Sequence, residues 1–312
     1  MDKVLVTGGA GFIGSNLIGR LLMMGYEVTC LDNLSSGSME NLEEYRTHPG
    51  FYFVEGDVAD YWNKEVDLIF HLACPAAPVS YQADPVRTLK TILLGTVNIL
   101  ELAKSSGGRV LHASTSEVYG DPDVHPQGES YWGNVNPMGV RSCYNEGKRA
   151  AESLCFEYHR QLGVDVRVVR IFNTYGPKMT VNDGRVVSNF VVQALKGDDI
   201  SIYGDGKQTR SFCYIDDLLD GFFAVIKRDE KNLGPVNLGN PEEIGILHLA
   251  SLVKDLTGSG SNIVHSLAVE DDPRRRKPLI DLAKGTFKWE PKVPLQEGLQ
   301  SVIAYYREKI SC

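Results

Sequence analysis

Residues 7–14 read Thr7-Gly8-Gly9-Ala10-Gly11-Phe12-Ile13-Gly14, directly after the apolar run Val4-Leu5-Val6. The run predicts a strand, and the residues from Phe12 onward predict a helix, so the glycines occupy a strand-to-helix turn. Gly8, Gly11 and Gly14 recur at three-residue spacing. Glycines in such a turn let the backbone approach a pyrophosphate, and the helix N-terminus then faces that negative charge. Far downstream stands Ser142-Cys143-Tyr144-Asn145-Glu146-Gly147-Lys148. Tyr144 and Lys148 are four residues apart, on one face of a helix. A phenol beside an ammonium loses its proton more readily than a lone phenol, which makes Tyr144 a candidate base. A glycine turn occurs in many folds, and a Tyr-x-x-x-Lys pair alone is an ordinary helix surface. Together they point to hydride chemistry on an alcohol.

The first half alternates strand and helix. Strands are expected at 3–7, 27–32, 51–55, 67–72, 109–114 and 165–171, with helices near 12–24, 38–45, 85–105 and 143–161. Such alternation predicts an α/β fold built on a doubly wound parallel sheet with right-handed crossovers. After residue 172 the pattern loosens at Asn173-Thr174-Tyr175-Gly176-Pro177. A helix follows at about 185–196, then a strand at 200–203 and the turn Gly204-Asp205-Gly206. Segments 212–228 and 235–239 read as a return to the first lobe. Residues 242–258 read as an amphipathic helix, and the stretch from 261 onward as a mixed tail. Residues 1–172 are therefore expected to form a dinucleotide-binding domain, rejoined by about 209–240, and 173–312 mainly a smaller α/β substrate lobe.

Val28-Thr29-Cys30-Leu31 ends in Asp32, eighteen residues past Gly14. A carboxylate there suits both ribose hydroxyls of an adenosine and repels a 2′-phosphate, so NAD is expected rather than NADP. The alternative is a strand-end Asp that caps the next turn. Asp57 ends the third strand, where it is a candidate partner for the adenine amine. His71-Leu72-Ala73 ends the fourth, where small residues allow close packing of a cofactor. His71 itself reads as a packed strand residue, and His125 and His159 lack metal-ligand spacing, so no metal is expected.

Of 312 residues 43% are hydrophobic and 23% charged, with net charge −8 and pI near 5.4. An acidic chain is a poor non-specific nucleic-acid binder. No apolar run approaches the ~20 residues that span a bilayer, and the start at Met1 runs straight into a strand with no leader. The six cysteines include no C-x-x-C pair, which fits a reducing, cytoplasmic setting.

Ser114-Thr115-Ser116-Glu117-Val118-Tyr119-Gly120 closes the fifth strand, and parallel strands carry reacting groups at their carboxyl ends. Thr115 or Ser116 offers a hydroxyl to a substrate oxygen beside Tyr144, and Glu117 adds a carboxylate. Lys207-Gln208-Thr209-Arg210 and Arg274-Arg275-Arg276-Lys277 are two basic runs in an acidic chain. Charge runs are usually solvated faces. Here they suit a polyanion such as a diphosphate, with Tyr203 placed to stack on a base.

On these residues the whole chain resembles the extended short-chain dehydrogenase/reductases that act on nucleotide sugars, which have a Rossmann-type fold. The glycine turn, Tyr144/Lys148, the break at 173–177 and Tyr203-Gly-Asp-Gly-Lys-Gln-Thr-Arg210 carry the resemblance. Within that family it is similar to the members that decarboxylate UDP-glucuronate. The segments 71–78, 114–121, 131–137, 141–149, 183–190 and 275–278 carry that part. The resemblance implies oxidation at C4 with Tyr144 taking the hydroxyl proton, loss of CO₂ from the β-keto acid, and reduction at C4 to UDP-xylose, with bound NAD recycled. It implies that Lys148 tunes Tyr144, that Thr115 bonds the C4 oxygen, and that Glu117 and Arg276 act around C5 and its carboxylate. Cofactor contacts are implied for Gly8, Gly11, Phe12, Ile13, Gly14, Asp32, Asn33, Asp57, Val58, Leu72, Thr91, Ala113, Tyr144, Lys148 and Thr174. Substrate contacts are implied for Lys90, Asn173, Arg185, Tyr203, Gln208, Arg210 and Arg276, and a homodimer through a four-helix bundle of helices 85–105 and 143–161.

Three positions depart from the family pattern: Val140 where Glu is frequent, Asn145 where Asp is common, and Leu279 where Asp is usual. A nucleotide-sugar 4-epimerase and a 4,6-dehydratase are the rival readings. A dehydratase needs an acid where this chain has Ser116. A non-catalytic NAD-sensing protein is a third reading, and such proteins can lose the Tyr or Lys that this chain keeps.

Overall fold

The structure, a computed structural model, describes residues 2–60, 62–181, 183–228, 234–267 and 275–311. Its first half runs β1 (Lys3–Thr7), α1 (Phe12–Met23), β2 (Glu27–Asp32), β3 (Phe51–Glu55), β4 (Leu68–His71), α2 (Pro78–Tyr81), α3 (Pro85–Ser106), β5 (Arg109–Thr115), α4 (Ser142–Leu162) and β6 (Val166–Ile171). Its second half runs β7 (Thr174–Tyr175), α5 (Val186–Lys196), β8 (Ile200–Tyr203), β9 (Thr209–Ser211), β10 (Cys213–Tyr214), α6 (Ile215–Ile226) and β11 (Val236–Leu238). It ends with β12 (Glu243–Gly245), α7 (Ile246–Thr257), β13 (Ile263–Ser266), β14 (Arg275–Arg276), α8 (Asp281–Phe287) and α9 (Leu295–Ser311).

Seven strands form a parallel sheet in the order β11-β6-β5-β4-β1-β2-β3. The period of two in a strand sorts its side chains to the two faces. Val4, Val6, Phe70, Leu111 and Val169 pack with α1 and α6 in one core. Leu5, Ile69, Val110, Val166 and Val168 pack with Ile99 and Ala103 of α3 and Cys155 of α4 in the other. Each fully buried Val, Leu or Ile contributes roughly 1.5–3 kcal/mol, so residues alternating along one strand hold helices on both faces. The two faces make the sheet doubly wound.

β11 pairs with β6, and the Phe222 ring of α6 stacks 6.3 Å from that of Phe70. Chain order reverses at β1, which has β4 on one side and β2 on the other. A crevice opens outside the carboxyl ends of strands at such a point. In the second lobe α5, α7 and α9 pack together beside two small sheets, β13-β8 and β12-β9-β14.

The helix expected near 38–45 is a 3₁₀ helix (Met39–Tyr45), entered through the Ser38 hydroxyl, which accepts from the Glu40 amide. Two expectations need correction. The helix expected over 242–258 begins only at Ile246, because Glu243–Gly245 pairs antiparallel with β9. The tail from 261 onward holds defined elements, including the 17-residue α9. Arg274 of the second basic run lies outside the described residues.

Candidate active site

The crevice is a cavity of about 810 Å³ lined from the glycine turn, the carboxyl ends of β2, β4 and β5, the start of α4 and the second lobe. At its floor Gly8 has φ +70°, and a Cβ there would stand 2.8 Å from the Ala73 Cα. A Cβ on Gly14 would stand 2.3 Å from the Gly8 carbonyl oxygen, so only glycine lets α1 pack this close to β1. Gly11 precedes α1, whose first turn has no acidic residue and no side-chain cap. The helix N-terminus and the bare Gly11 therefore present amides and a partial positive charge to the cavity, which fits a pyrophosphate.

Asp32 lies at the end of β2 and is 8% exposed. Its Oδ2 accepts from the Ala10 amide at 2.9 Å and its Oδ1 from the Leu34 amide at 2.8 Å. Burial pushes this carboxyl up, while the two amides pull it down. Asp32 thus caps the following turn and also faces the cavity. Asp57 does not line the cavity, although Gly56 and Val58 do. Its carboxylate accepts from Asn33 Nδ2 at 2.9 Å and the Ala59 amide, and it pairs with Arg87. His71 is packed as expected, with Nδ1 2.9 Å from Thr7 Oγ1, and burial lowers its pKa to about 3.

Tyr144 lies in the first turn of α4, so its ring enters the cavity beside the end of β5. The ring stacks on that of Tyr81, with centroids 5.0 Å apart and planes at 8°. The Thr115 side chain acts to lower the phenol's pKa. Lys148 Nζ donates to the Ala113 carbonyl at 2.8 Å and stands 6.0 Å from the Tyr144 ring centre. Burial is the strongest influence on the phenol and pushes its pKa well up, with Cys74 and Glu117 adding to the rise. The Lys148 ammonium is thus engaged by the Ala113 carbonyl, and burial outweighs the groups that lower the phenol's pKa.

Glu117 sits in the 3₁₀ turn after β5, where its amide donates to Thr115 Oγ1. Arg276 Nη1 donates to one carboxylate oxygen at 2.8 Å, and Arg141 Nη1 reaches the other at 3.5 Å. Burial pushes the Glu117 carboxyl up, but Arg276 and then Arg141 outweigh it and hold the pKa below the usual range. The strand period places Arg276 inward and Arg275 outward: the first is buried and the second exposed. Arg276 also lies in register beside Arg210 of β9. Past it the chain is fastened to Gln127, whose Oε1 accepts the Lys277 amide at 2.9 Å and whose carbonyl accepts the Leu279 amide at 2.8 Å. A buried nitrogen of Arg276, Nη2, has no partner among the described residues, which leaves a donor for a ligand anion.

The cavity brings together Gly8, Gly11, Phe12, Ile13, Gly14, Asp32, Asn33, Val58, Leu72, Thr91, Ala113, Thr115, Glu117, Tyr144, Lys148, Asn173, Thr174, Arg185, Tyr203, Gln208, Arg210 and Arg276. Lys90 is left out: it is exposed on α3 and does not line the cavity. Arg141 and Tyr81 were not singled out from sequence. Arg141 carried a signal, since it stands three residues before Tyr144 and so shares its side of the helix start. Of the departures from the family pattern, Val140 and Leu279 are exposed, whereas Asn145 is buried, its Oδ1 without a partner among the described residues. Among the described residues no group of His, Cys, Asp and Glu has the arrangement of a metal site, and no helix is long and apolar enough to cross a membrane.

Comparison with known proteins agrees with this geometry. A model of the NAD dependent epimerase/dehydratase family matches residues 4–239. UDP-glucuronic acid decarboxylase 1 of Xenopus tropicalis is 53% identical over 308 residues, spanning 99% of this chain and 73% of that protein. UDP-glucuronic acid decarboxylase 6 of Arabidopsis thaliana is 53% identical over 298 residues, 95% of this chain and 86% of that protein. Among solved structures, UDP-glucuronic acid 4-epimerase from Bacillus cereus, in complex with UDP-glucuronic acid and NAD, superposes with a TM-score of 0.88 at 27% identity, covering 98% of this chain and 99% of that one. With a glycine turn at the switch point, a buried tyrosine beside a lysine and relatives of this closeness, the chain belongs to the NAD dependent epimerase/dehydratase family.

Proposed function

We propose that the chain is a carboxy-lyase that converts UDP-glucuronate to UDP-xylose and CO₂ with NAD as its cofactor. The observation that carries this reading is the arginine-flanked Glu117 beside Tyr144 and Thr115, in the same cavity as the glycine turn. Identity of 53% to relatives named for this activity supports it. Asp32 and the α1 N-terminus would hold the adenosine ribose and the pyrophosphate, and the carboxylate disfavours the extra phosphate of NADP.

When bound, NAD supplies the hydride acceptor and donor for C4 of the sugar. The chain's residues do the rest. Thr115 holds the C4 oxygen, and Tyr144 Oη takes the hydroxyl proton. Tyr144 takes this proton as the phenolate, a form that the Lys148 ammonium would favour against the burial that raises the phenol's pKa. Oxidation leaves a carboxylate β to a ketone, a group that loses CO₂ when its C–C bond stands across the carbonyl plane. The Arg276 guanidinium, held by Glu117, would set that orientation. A proton taken up from solvent at C5, return of the hydride to C4 and return of the proton from Tyr144 to the C4 oxygen complete the cycle. Arg185, Gln208, Arg210, Asn173 and Tyr203 would hold the UDP from the second lobe. The first lobe, with 209–240, is read as the cofactor domain.

A homodimer through a four-helix bundle is also inferred. The packing of α3 against α4 and the exposed Val86, Leu89 and Leu94 of α3 support it. The described cysteines are free, which supports a reducing, cytoplasmic setting. The test is mass analysis of products from UDP-glucuronate, first without added NAD⁺ and then with it. UDP-xylose and CO₂ are expected. A uronate of unchanged mass would mean an epimerase, and a dehydrated product a dehydratase.

A further inference from the structure

We propose that Gln127, braced by Asn237, is a positioning residue for decarboxylation: it fixes the backbone on which Arg276 stands and so sets the guanidinium against the C6 carboxylate. The inference rests on the UDP-glucuronate reading and extends it to two buried amides that do not line the cavity.

β14 holds Arg276 but has only two residues. A parallel pairing of that length with β9 supplies few hydrogen bonds to hold a register. Gln127 supplies what the strand lacks. Its amide donates to the Lys277 carbonyl at 2.9 Å, its side-chain Oε1 accepts the Lys277 amide at 2.9 Å, and its carbonyl accepts the Leu279 amide at 2.8 Å. One residue thus takes up both backbone groups of Lys277, which follows Arg276 directly. The side chain is itself oriented, because Nε2 donates to the Val124 carbonyl at 2.8 Å. Gln127 is fully buried, so water does not compete for these bonds, and a group left unpaired there is costly.

Asn237 of β11 joins the two ends of the Arg276–Glu117 ion pair. Its Nδ2 donates at 3.0 Å to the Gln127 carbonyl and at 3.0 Å to the Leu279 carbonyl. Its Oδ1 accepts the Tyr119 hydroxyl at 2.7 Å, and its amide donates to Glu129 Oε1 at 2.9 Å. Tyr119 ends the 3₁₀ turn that carries Glu117. One buried side chain therefore ties the Glu117 turn to the segment of Arg276, and a buried network with its groups partnered holds a single arrangement. The effect on the reaction passes through Arg276, whose buried Nη2 has no partner among the described residues. Misplacing such a group by about 1 Å can cost ~10²-fold in rate. Oxidation at C4 depends instead on Tyr144 of α4 and Thr115 of β5, which β14 does not hold. A loosened β14 therefore slows loss of CO₂ and spares the hydride step.

The test separates the two half-reactions. NAD-loaded Gln127→Met is mixed with UDP-glucuronate, and NADH absorbance and CO₂ release are followed together. CO₂ release should slow by about tenfold or more while NADH forms near the unmodified rate, so that NADH rises and persists. Affinity for UDP-xylose, measured by calorimetry, should stay within about twofold. Asn237→Ser acts on the same frame from β11 and should show the same split, also where Gln127→Met does not fold. Val225→Ala opens a gap in the core under α6 and is the control for general softening: it should lower the melting temperature without the split. Equal slowing of NADH formation and CO₂ release, no slowing of either, or the same split in Val225→Ala overturns the proposal. Failure of both Gln127→Met and Asn237→Ser to fold assigns the two amides to folding and overturns it too. The unmodified protein keeps the two readings apart. If it releases no CO₂, the decarboxylase reading falls and the proposal with it; if it releases CO₂ and the variants show no split, the proposal alone falls.

Discussion

At Tyr144 opposing influences meet, and burial, which raises the phenol's pKa, prevails over Thr115 and Arg185, which lower it. The phenol ring stacks on Tyr81, so Tyr144→Phe keeps the ring stack and deletes only the proton carrier. Turnover should fall ~10²–10⁴-fold at an unchanged melting temperature, and a loss under about tenfold would remove Tyr144 as the base. At Glu117 the balance runs the other way. Its pKa is depressed in the fold, so its ion pairs stabilise the protein above the ordinary carboxylate range and are lost as pH falls through the depressed value. Glu117→Gln should cost about 3 kcal/mol near neutral pH, because two buried guanidiniums lose a shared carboxylate partner. The gap between the two proteins in urea unfolding should narrow as the pH is lowered below the ordinary glutamate value. A gap that stays constant or widens with acid would mean that the pairs do not hold the carboxyl ionised.

Elements of two or three residues decide the geometry of the sugar end. β14 contributes only Arg275 and Arg276, yet its pairing with β9 turns one inward and the other outward. Arg276→Ala should suppress CO₂ release far more than it weakens UDP binding, whereas Arg275→Ala should leave both near the unmodified values. The reverse pattern would mean that the register is off by one. The six strands of the first half were legible because each is an apolar run bounded by glycine or charge, and the Tyr144/Lys148 helix because its spacing is local. β7, β9, β10, β12 and β14 were not, because strands so short form through a partner distant in sequence and leave little local periodicity. The same cause moved the start of α7 from 242 to Ile246. Of the cavity, the glycine turn, Asp32, Tyr144 and Arg276 were legible by motif. Tyr81 was not, since nothing local tells that α2 would lay its ring on Tyr144. Lys90 was expected in the cavity by resemblance alone, and the winding of α3 carries it to the exposed side.

The whole molecule is a switch-point crevice with a second lobe that contributes Arg185, Tyr203, Gln208, Arg210 and Arg276 to its walls. Putting the glycine turn, the base and the arginines into one cavity lets oxidation and reduction occur at the same carbon without release of the keto sugar. That is the central claim, and it has a direct isotopic test. UDP-glucuronate carrying deuterium at C4 is incubated with the purified protein, and the product is examined by mass and NMR while NADH absorbance is followed. The account predicts UDP-xylose that keeps the deuterium at C4, with no NADH accumulating as CO₂ is released. Deuterium lost from C4, or NADH rising in step with CO₂, would contradict it.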